Sequence, residues 1–194
     1  METTPPAQGD GGQERLFIAI PAPAELISPS LSLKEANSTL AGTRWIPLVN
    51  LHITVCFLGD LPAGMSPQIL RIMSNGLART GDFELVFDRF SIEGGRRPSM
   101  VWARYHRHPA FTALAGWLHS ETAAFTPALH RFHQPVPHVT LARIRSGPAP
   151  EIRCNDELPA LPFRGFELWK TCRLPGGVRY EVLGSFYNNG PVSS

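Results

Sequence analysis

Leu51-His52-Ile53-Thr54-Val55-Cys56-Phe57-Leu58-Gly59 decides how this chain is read, and Pro137-His138-Val139-Thr140-Leu141-Ala142-Arg143-Ile144 is its partner. Both contain His-x-Thr-x with apolar residues at the x positions. Ile, Val and Thr fit the pleat of a β-strand. Side chains alternate faces along a strand, so a His and a Thr two apart share one side. His52 and Thr54 then face one way, with Ile53 and Val55 opposite. His138 and Thr140 do the same, with Val139 and Leu141 opposite. Each strand offers an imidazole and a hydroxyl to one surface and anchors itself by the other. The expectation is that both strands face one cleft and that the two histidines act as an acid–base pair.

That pairing has a definite chemistry. Neutral imidazole accepts a proton and imidazolium donates one, with an ordinary pKa near 6.5. Each such group typically contributes roughly 10² to 10⁴ in rate. Threonine hydroxyls suit the non-bridging oxygens of a phosphate held between the imidazoles. Opening a cyclic phosphodiester needs this set: one His deprotonates water, the other protonates the departing sugar oxygen, and Arg143 offsets charge on the phosphoryl group. Arg143 lies five positions beyond His138, so in a flat strand it faces the wrong way. A bulge, a strong twist or a strand end near Leu141–Ala142 is required to bring it round. The same offset in the first motif holds Phe57. A repeat of that geometry turns Phe57 to the cleft too, where a base can stack on it; a core position suits it equally.

Working outward, 194 residues suffice for one domain or two small lobes sharing a core. The chain is 43% hydrophobic and 18% charged, as in a soluble globular protein. It holds no apolar run long enough for a bilayer. The first residues lack the basic start and apolar core of a signal peptide. Cys56, Cys154 and Cys172 form neither a metal pattern nor a disulfide framework. A cytoplasmic location and no membrane association are expected. Arg89 to Arg145 is strongly basic and reads either as a solvated face or as a field for an anionic ligand.

Residues 1–14 read as a disordered tail and 188–194 as a loose end, leaving 15–187 as a single bilobal domain. Arg15–Ile20 reads as a buried strand, and a helix is expected within Ala24–Leu40. Ser66 is expected to cap a helix running to about Arg79, with Pro67 at its first position. Phe83 to Ile92 reads as one strand, pairing as a hairpin with Met100–Tyr105. A helix from Pro109 to about Ala124 carries an apolar stripe of Phe111, Leu114, Ala115 and Leu118. Phe163–Leu174 and Val178–Phe186 read as a closing hairpin around Pro175-Gly176-Gly177. Two similar motifs in similar surroundings suggest an internal duplication, with one His-x-Thr strand in each of two α+β lobes.

Several residues have ordinary readings. His106, His108, His119 and His130 are expected to be structural, and His133 a surface loop residue rather than a cleft residue. A metal site of His52, His138 and His133 is conceivable, but neither motif holds a carboxylate, and Cys56 is the one cysteine in them, so no metal is expected. Trp45 and Trp102 read as core or cleft wall. Cys56 shares the parity of His52 but reads as a small buried hydrophobe. No Gly-rich phosphate loop with Lys is present, and no cofactor is expected.

With both motifs in place, the chain resembles the two-histidine (2H) phosphoesterase superfamily. Within it the chain is similar to the RNA 2′,3′-cyclic phosphodiesterases, also called 2′–5′ RNA ligases. The matching pieces are Arg15–Ile20, Trp45, Asn50–Thr54, Phe57-Leu58-Gly59, Val101-Trp102, Pro137–Leu141 with Arg143, Phe166–Trp169 and Tyr180–Leu183. The resemblance implies an α+β fold of two pseudo-repeated lobes of antiparallel sheet plus helices about a central cleft. It implies metal-independent hydrolysis of RNA 2′,3′-cyclic phosphate ends to 2′-phosphomonoesters, with reverse 2′–5′ ligation as a companion reaction. His52 falls on the proton donor and His138 on the proton acceptor. Thr54, Thr140 and Arg143 fall on phosphate-contacting positions. RNA ends or small cyclic nucleotides are the expected substrates, and a monomer the expected state. The competing reading is a nucleotide- or RNA-binding module of the same fold without turnover; intact His52, Thr54, His138, Thr140 and Arg143 favour the enzyme.

Overall fold

The apolar, β-branched stretches pair side by side into one antiparallel sheet, and the amphipathic stretches between them become helices on one of its faces. In the computed structural model, residues 12–38, 42–94, 99–126, 135–145, 152, 157–175 and 177–188 are described. The strands are β1 (Gln13–Pro21), β2 (Thr43–Trp45), β3 (His52–Pro62), β4 (Glu84–Leu85), β5 (Phe87–Glu93), β6 (Ser99–Tyr105), β7 (His138–Ile144), β8 (Leu161–Pro162), β9 (Gly165–Leu174) and β10 (Gly177–Tyr187). The helices are α1 (Ile27–Ala36), α2 (Ser66–Leu77) and α3 (Pro109–Thr122). The main sheet runs β10-β9-β1-β3-β7-β6-β5, with β2 also pairing β7, while β4 and β8 form a separate pair. The fold is α+β, as expected.

The two motif strands meet at the centre of the sheet. They pair antiparallel through Ile53 and Val139, the residue after each motif histidine. On one side of that junction lie β1 and the β9–β10 hairpin; on the other lies the β5–β6 hairpin, while β2 pairs β7 along the same edge as β3. The lobes are therefore not simply the two halves of the sequence. β2, from the first half, pairs in the second lobe, and the C-terminal hairpin returns to flank β1. Pairing partners so distant in sequence leave no local trace in composition.

The core fills the helix-covered face. Leu16, Ile18, Ile53, Leu58, Val139, Leu141, Phe166 and Leu168 enter it from the strands, and Ile69, Met73, Phe111, Leu114, Ala115 and Leu118 from α2 and α3. Burying each large apolar side chain stabilises the fold by roughly 1.5–3 kcal/mol. The stripe expected on α3 is fully buried. A small cluster of Phe17, Ala19 and Trp169, with Tyr180 packed on it, lies on the opposite parity of β1. This second face carries the site.

Three local expectations need correction. Ser66 is the first helical residue of α2, not its cap; Met65 occupies the cap position and makes no side-chain cap hydrogen bond. Phe83 to Ile92 is not one strand: Val86 breaks it, because Glu84 and Leu85 pair with Pro162 and Leu161 instead of continuing towards β6. The first motif strand, expected from its sequence to end at the turn residues Gly59-Asp60, runs on to Pro62, since β1 supplies partners as far as Gln13. Among the described residues no helix is long and apolar enough to cross a membrane. Of the tail expected over residues 1–14, Gln13 and Glu14 belong to β1, and of the loose end expected over 188–194, Asn188 is tied to the Arg164 carbonyl and the Asp82 carboxylate; residues 1–11 and 189–194, with His130, His133 and Cys154, lie outside the described residues.

Candidate active site

Both motif strands carry a bulge at the same place. Against β1, Ala19 pairs with Thr54 and Ile18 with Cys56, so Val55 has no opposite number. Against β6, Trp102 pairs with Thr140 and Val101 with Ala142, so Leu141 has none. Each extra residue stands three positions after its histidine. A bulge shifts side-chain parity by one. As a result Cys56 and Ala142 turn into the core, while Phe57 and Arg143 turn out on the histidine face. The first seven residues of the two strands share one sequence of burial. The bulge required for Arg143 is present, and Phe57 follows it.

These residues open onto a cavity of about 400 Å³ lined by His52, Thr54, Phe57, Thr140 and Arg143, together with Arg15, Phe17, Asn50, Thr171, Arg173 and Tyr180 among others. His138 is not part of that lining. It stands one strand over, its ring stacked on Trp102 with centroids 3.6 Å apart. Continuing the antiparallel register out from Ile53 and Val139 sets His52 opposite Thr140 and Thr54 opposite His138. The histidines then flank the junction on opposite sides, their Cα atoms roughly 8 Å apart by standard strand spacing.

The same device orients both imidazoles. His52 Nδ1 lies 2.7 Å from the carbonyl oxygen of Asn50, and His138 Nδ1 lies 2.7 Å from that of Val136. A carbonyl oxygen only accepts, so each Nδ1 carries the hydrogen and donates it. Each Nε2 is thereby left as the atom that takes up or releases a proton. Asn50 is fixed in turn, its side-chain amide donating to the Val178 carbonyl at 2.8 Å.

Their surroundings differ. Three rings surround His52: Phe17 and Trp169 at 5.0 Å and Tyr180 at 5.2 Å between centroids. Burial pushes its pKa down to about 4; the Asn50 carbonyl opposes this, and the charges of His138 and Arg143 add to it. Burial also lowers the pKa of His138, but there the Val136 carbonyl and the Glu93 carboxylate pull upward, while Arg104 pushes down. Glu93 is held by Arg104 at 3.1 Å and by the Ser91 hydroxyl at 2.9 Å.

Phe57 is 40% exposed, and the Arg15 guanidinium lies 4.9 Å from its ring centroid. Cys56 is a buried thiol, its pKa raised to about 11 by burial. His108 caps α3, its Nδ1 accepting from the Ala110 N–H, and stacks on Phe83. Trp45 packs against the core, whereas Trp102 is the platform under His138. Within the basic stretch, Arg89 pairs with Asp88 and Arg104 with Glu93, and Arg143 reaches the cavity; the cavity's other arginines, Arg15 and Arg173, lie outside that stretch. Among the described residues no group of three His, Cys, Asp or Glu side chains is placed to hold a metal ion.

Sequence reasoning did not single out Phe17, Trp169, Tyr180 or Asn50 as site residues. Asn50 flanks the first motif, while Phe17, Trp169 and Tyr180 lie far from both motifs, in stretches the family resemblance covers but where each looks like an ordinary core or turn residue.

A family model described as the 2′-5′ RNA ligase superfamily matches residues 27–169. The chain belongs to that superfamily. It is 30% identical over 195 aligned positions to the RNA 2′,3′-cyclic phosphodiesterase of Thermus thermophilus, covering 91% of each chain. It is 29% identical over 137 positions to the protein of that name from Geobacillus stearothermophilus, spanning 69% of this chain and 43% of that relative's length. The solved structure of the Thermus thermophilus protein TT0787 is similar with a TM-score of 0.74 and 26% identity, covering 89% of this chain and 97% of that one. The superfamily fold thus accounts for the sheet order, and the paired His-x-Thr strands sit at its centre.

Proposed function

We propose that this chain is a metal-independent RNA 2′,3′-cyclic phosphodiesterase that opens cyclic phosphate ends to 2′-phosphomonoesters, with reverse 2′–5′ ligation available through the same groups. The observation that carries the reading is the repeated Nδ1–H to carbonyl hydrogen bond, which leaves two Nε2 atoms free at the junction of the two lobes. The phosphate sits between them, held by Thr54, Thr140 and Arg143. His138 Nε2 takes the proton of the attacking water. His52 Nε2 protonates the departing 3′-oxygen, and the base stacks beside Phe57. Acid, base and charge compensation are all supplied by side chains. The similar proteins from Thermus and Geobacillus, both named RNA 2′,3′-cyclic phosphodiesterases, support the same reaction class.

With a pKa near 4, His52 in the free site is unprotonated at neutral pH until substrate arrives. An anionic phosphodiester offsets Arg143 and favours the charged imidazole, which restores the proton the donor needs.

The test is a short RNA ending in a 2′,3′-cyclic phosphate, incubated in EDTA, with the position of the product phosphate determined. A 2′-phosphate is expected, which assigns His52 to the 3′-oxygen. A 3′-phosphate keeps the chemistry and exchanges the two roles, the order that the Glu93 charge near His138 favours in the free site. His52→Ala and His138→Ala should each lower kcat by roughly 10² to 10⁴ while binding of a 2′-phosphate end stays within about tenfold. RNA that binds without turnover at either end rejects the enzyme in favour of a binding module.

A further inference from the structure

The cavity holds more positive charge than a single cyclic phosphate can balance. Arg15, Arg143 and Arg173 line it, and among the described residues no Asp or Glu does. Arg143 and Arg173 make no ion pair among the described residues. Arg15 meets Asp60 at 3.3 Å, but both side chains are well exposed and such a pair is weak in water. A 2′,3′-cyclic phosphate carries one negative charge, and Arg143 with the two threonines suffices for it. The remaining cations lie to one side of that centre rather than around it.

Register fixes the side. Leu16 pairs with Lys170, which sets Arg15 opposite Thr171; Thr171 in turn pairs with Tyr180, and Arg173 with Val178. Arg15, Thr171 and Tyr180 thus form a row across β1, β9 and β10, with Arg173 in the next row outward. Ala19 marks the level of Thr54 on β1, four residues from Arg15. That separates the two levels by roughly 13 Å along the strands, a gap that long arginine side chains shorten and one nucleoside can span. Tyr180 lines the same cavity; burial raises its pKa, and the charges of Arg143 and Arg15 both oppose that rise, so its hydroxyl is within reach of both groups of cations. Phe57 lies along the same path, under Arg15.

We propose that Arg15, Thr171 and Arg173 form a second phosphate subsite, which takes the 5′-phosphate of the nucleotide whose cyclic end sits between the histidines. In an RNA chain that phosphate is the diester to the upstream nucleotide. The proposal rests on the reading of the site as a cyclic phosphodiesterase, and it makes polynucleotide or 5′-phosphorylated ends the favoured class over unphosphorylated cyclic nucleosides.

The experiment compares adenosine 2′,3′-cyclic phosphate with its 5′-phosphorylated form in steady-state kinetics. The parent protein should use the 5′-phosphorylated substrate with a kcat/KM higher by about tenfold or more, as expected of charge-assisted hydrogen bonds to a phosphate. That preference should weaken with salt, its logarithm falling against log salt concentration with a slope of about −0.7 for the one extra phosphate contact. Arg173→Gln and Arg15→Gln should each bring the ratio of the two kcat/KM values towards one. Equal use of both substrates by the parent, or a ratio that survives both substitutions, overturns the subsite while leaving the hydrolytic reading intact. If the parent turns over neither substrate, the hydrolytic reading fails, and binding decides the subsite. Adenosine 2′,5′-bisphosphate must then bind the parent about tenfold tighter than adenosine 2′-phosphate and lose that margin in Arg173→Gln; equal binding in the parent overturns it.

Discussion

His52 is buried among the rings of Phe17, Trp169 and Tyr180, and this burial costs the folded state its proton, although the Asn50 carbonyl that accepts from its Nδ1–H pulls the other way. Unfolded, the ring titrates near 6.5; folded, it titrates near 4. Above about pH 6.5 both states are neutral and His52 contributes no pH dependence. Between 6.5 and 4 the unfolded chain takes a proton that the folded chain refuses, so stability falls as pH falls; below 4 both bind it and the loss stops. The full effect is a few kcal/mol at most. In urea unfolding at pH 7 and pH 4.5, His52→Asn should therefore lose less stability on acidification than the parent. An equal loss in both would mean that His52 is not held neutral by burial. The facing of His52, Thr54, His138 and Thr140 was legible in the sequence because it needs only alternation along a strand. The aromatic box was not, since its members come from β1, β9 and β10 and each taken singly is an ordinary aromatic residue.

Among the elements, the paired bulges decide which residues join the site, and they were legible by an indirect route. An arginine five positions after a strand histidine is uncomfortable in a core, so the strand had to bend, and equal spacing carried Phe57 with it. The break at Val86 had no such signal: β4 leaves the main sheet because it pairs with β8, more than seventy residues later. The same holds for the C-terminal hairpin, recognisable as a hairpin but not as the neighbour of β1. Its start depends on Gly165, which has φ +152°, and a Cβ there would collide with the Phe186 carbonyl oxygen across the β9–β10 ladder. A backbone atom cannot step aside as a side-chain tip can. Gly165→Ala should destabilise by about 2–4 kcal/mol in urea unfolding, whereas Gly81→Ala, with nothing within 4 Å of the added carbon, should lie near the parent. Similar stabilities for the two variants would show that the ladder beside Gly165 relaxes freely.

At the scale of the whole molecule, the sheet is one surface, but its two halves control different protons. The half containing β1, β9 and β10 encloses His52 in rings and, among the described residues, contributes no carboxylate to the cavity lining. The half containing β5 and β6 gives His138 a flat indole and the charge of Glu93. A two-histidine mechanism needs its groups in opposite protonation states, and near-identical strands in near-identical settings would supply matched pKa values. The asymmetry lies in the flanking hairpins, and it can be altered one side at a time. Glu93→Gln keeps a group able to accept from Arg104 and Ser91 but removes the charge that raises His138, so the His138 limb of the kcat/KM pH profile should move to lower pH. Tyr180→Ala admits water beside His52, so the limb belonging to His52 should move upward from about 4 towards 6.5. The two substitutions act on opposite lobes and should shift different limbs in opposite directions. In the double variant both shifts should appear together, since the substituted residues share no partner among the described residues. If both substitutions moved the same limb, or if neither moved one, the protonation of the two histidines would be set at the shared junction of β3 and β7 instead of by the hairpins on either side.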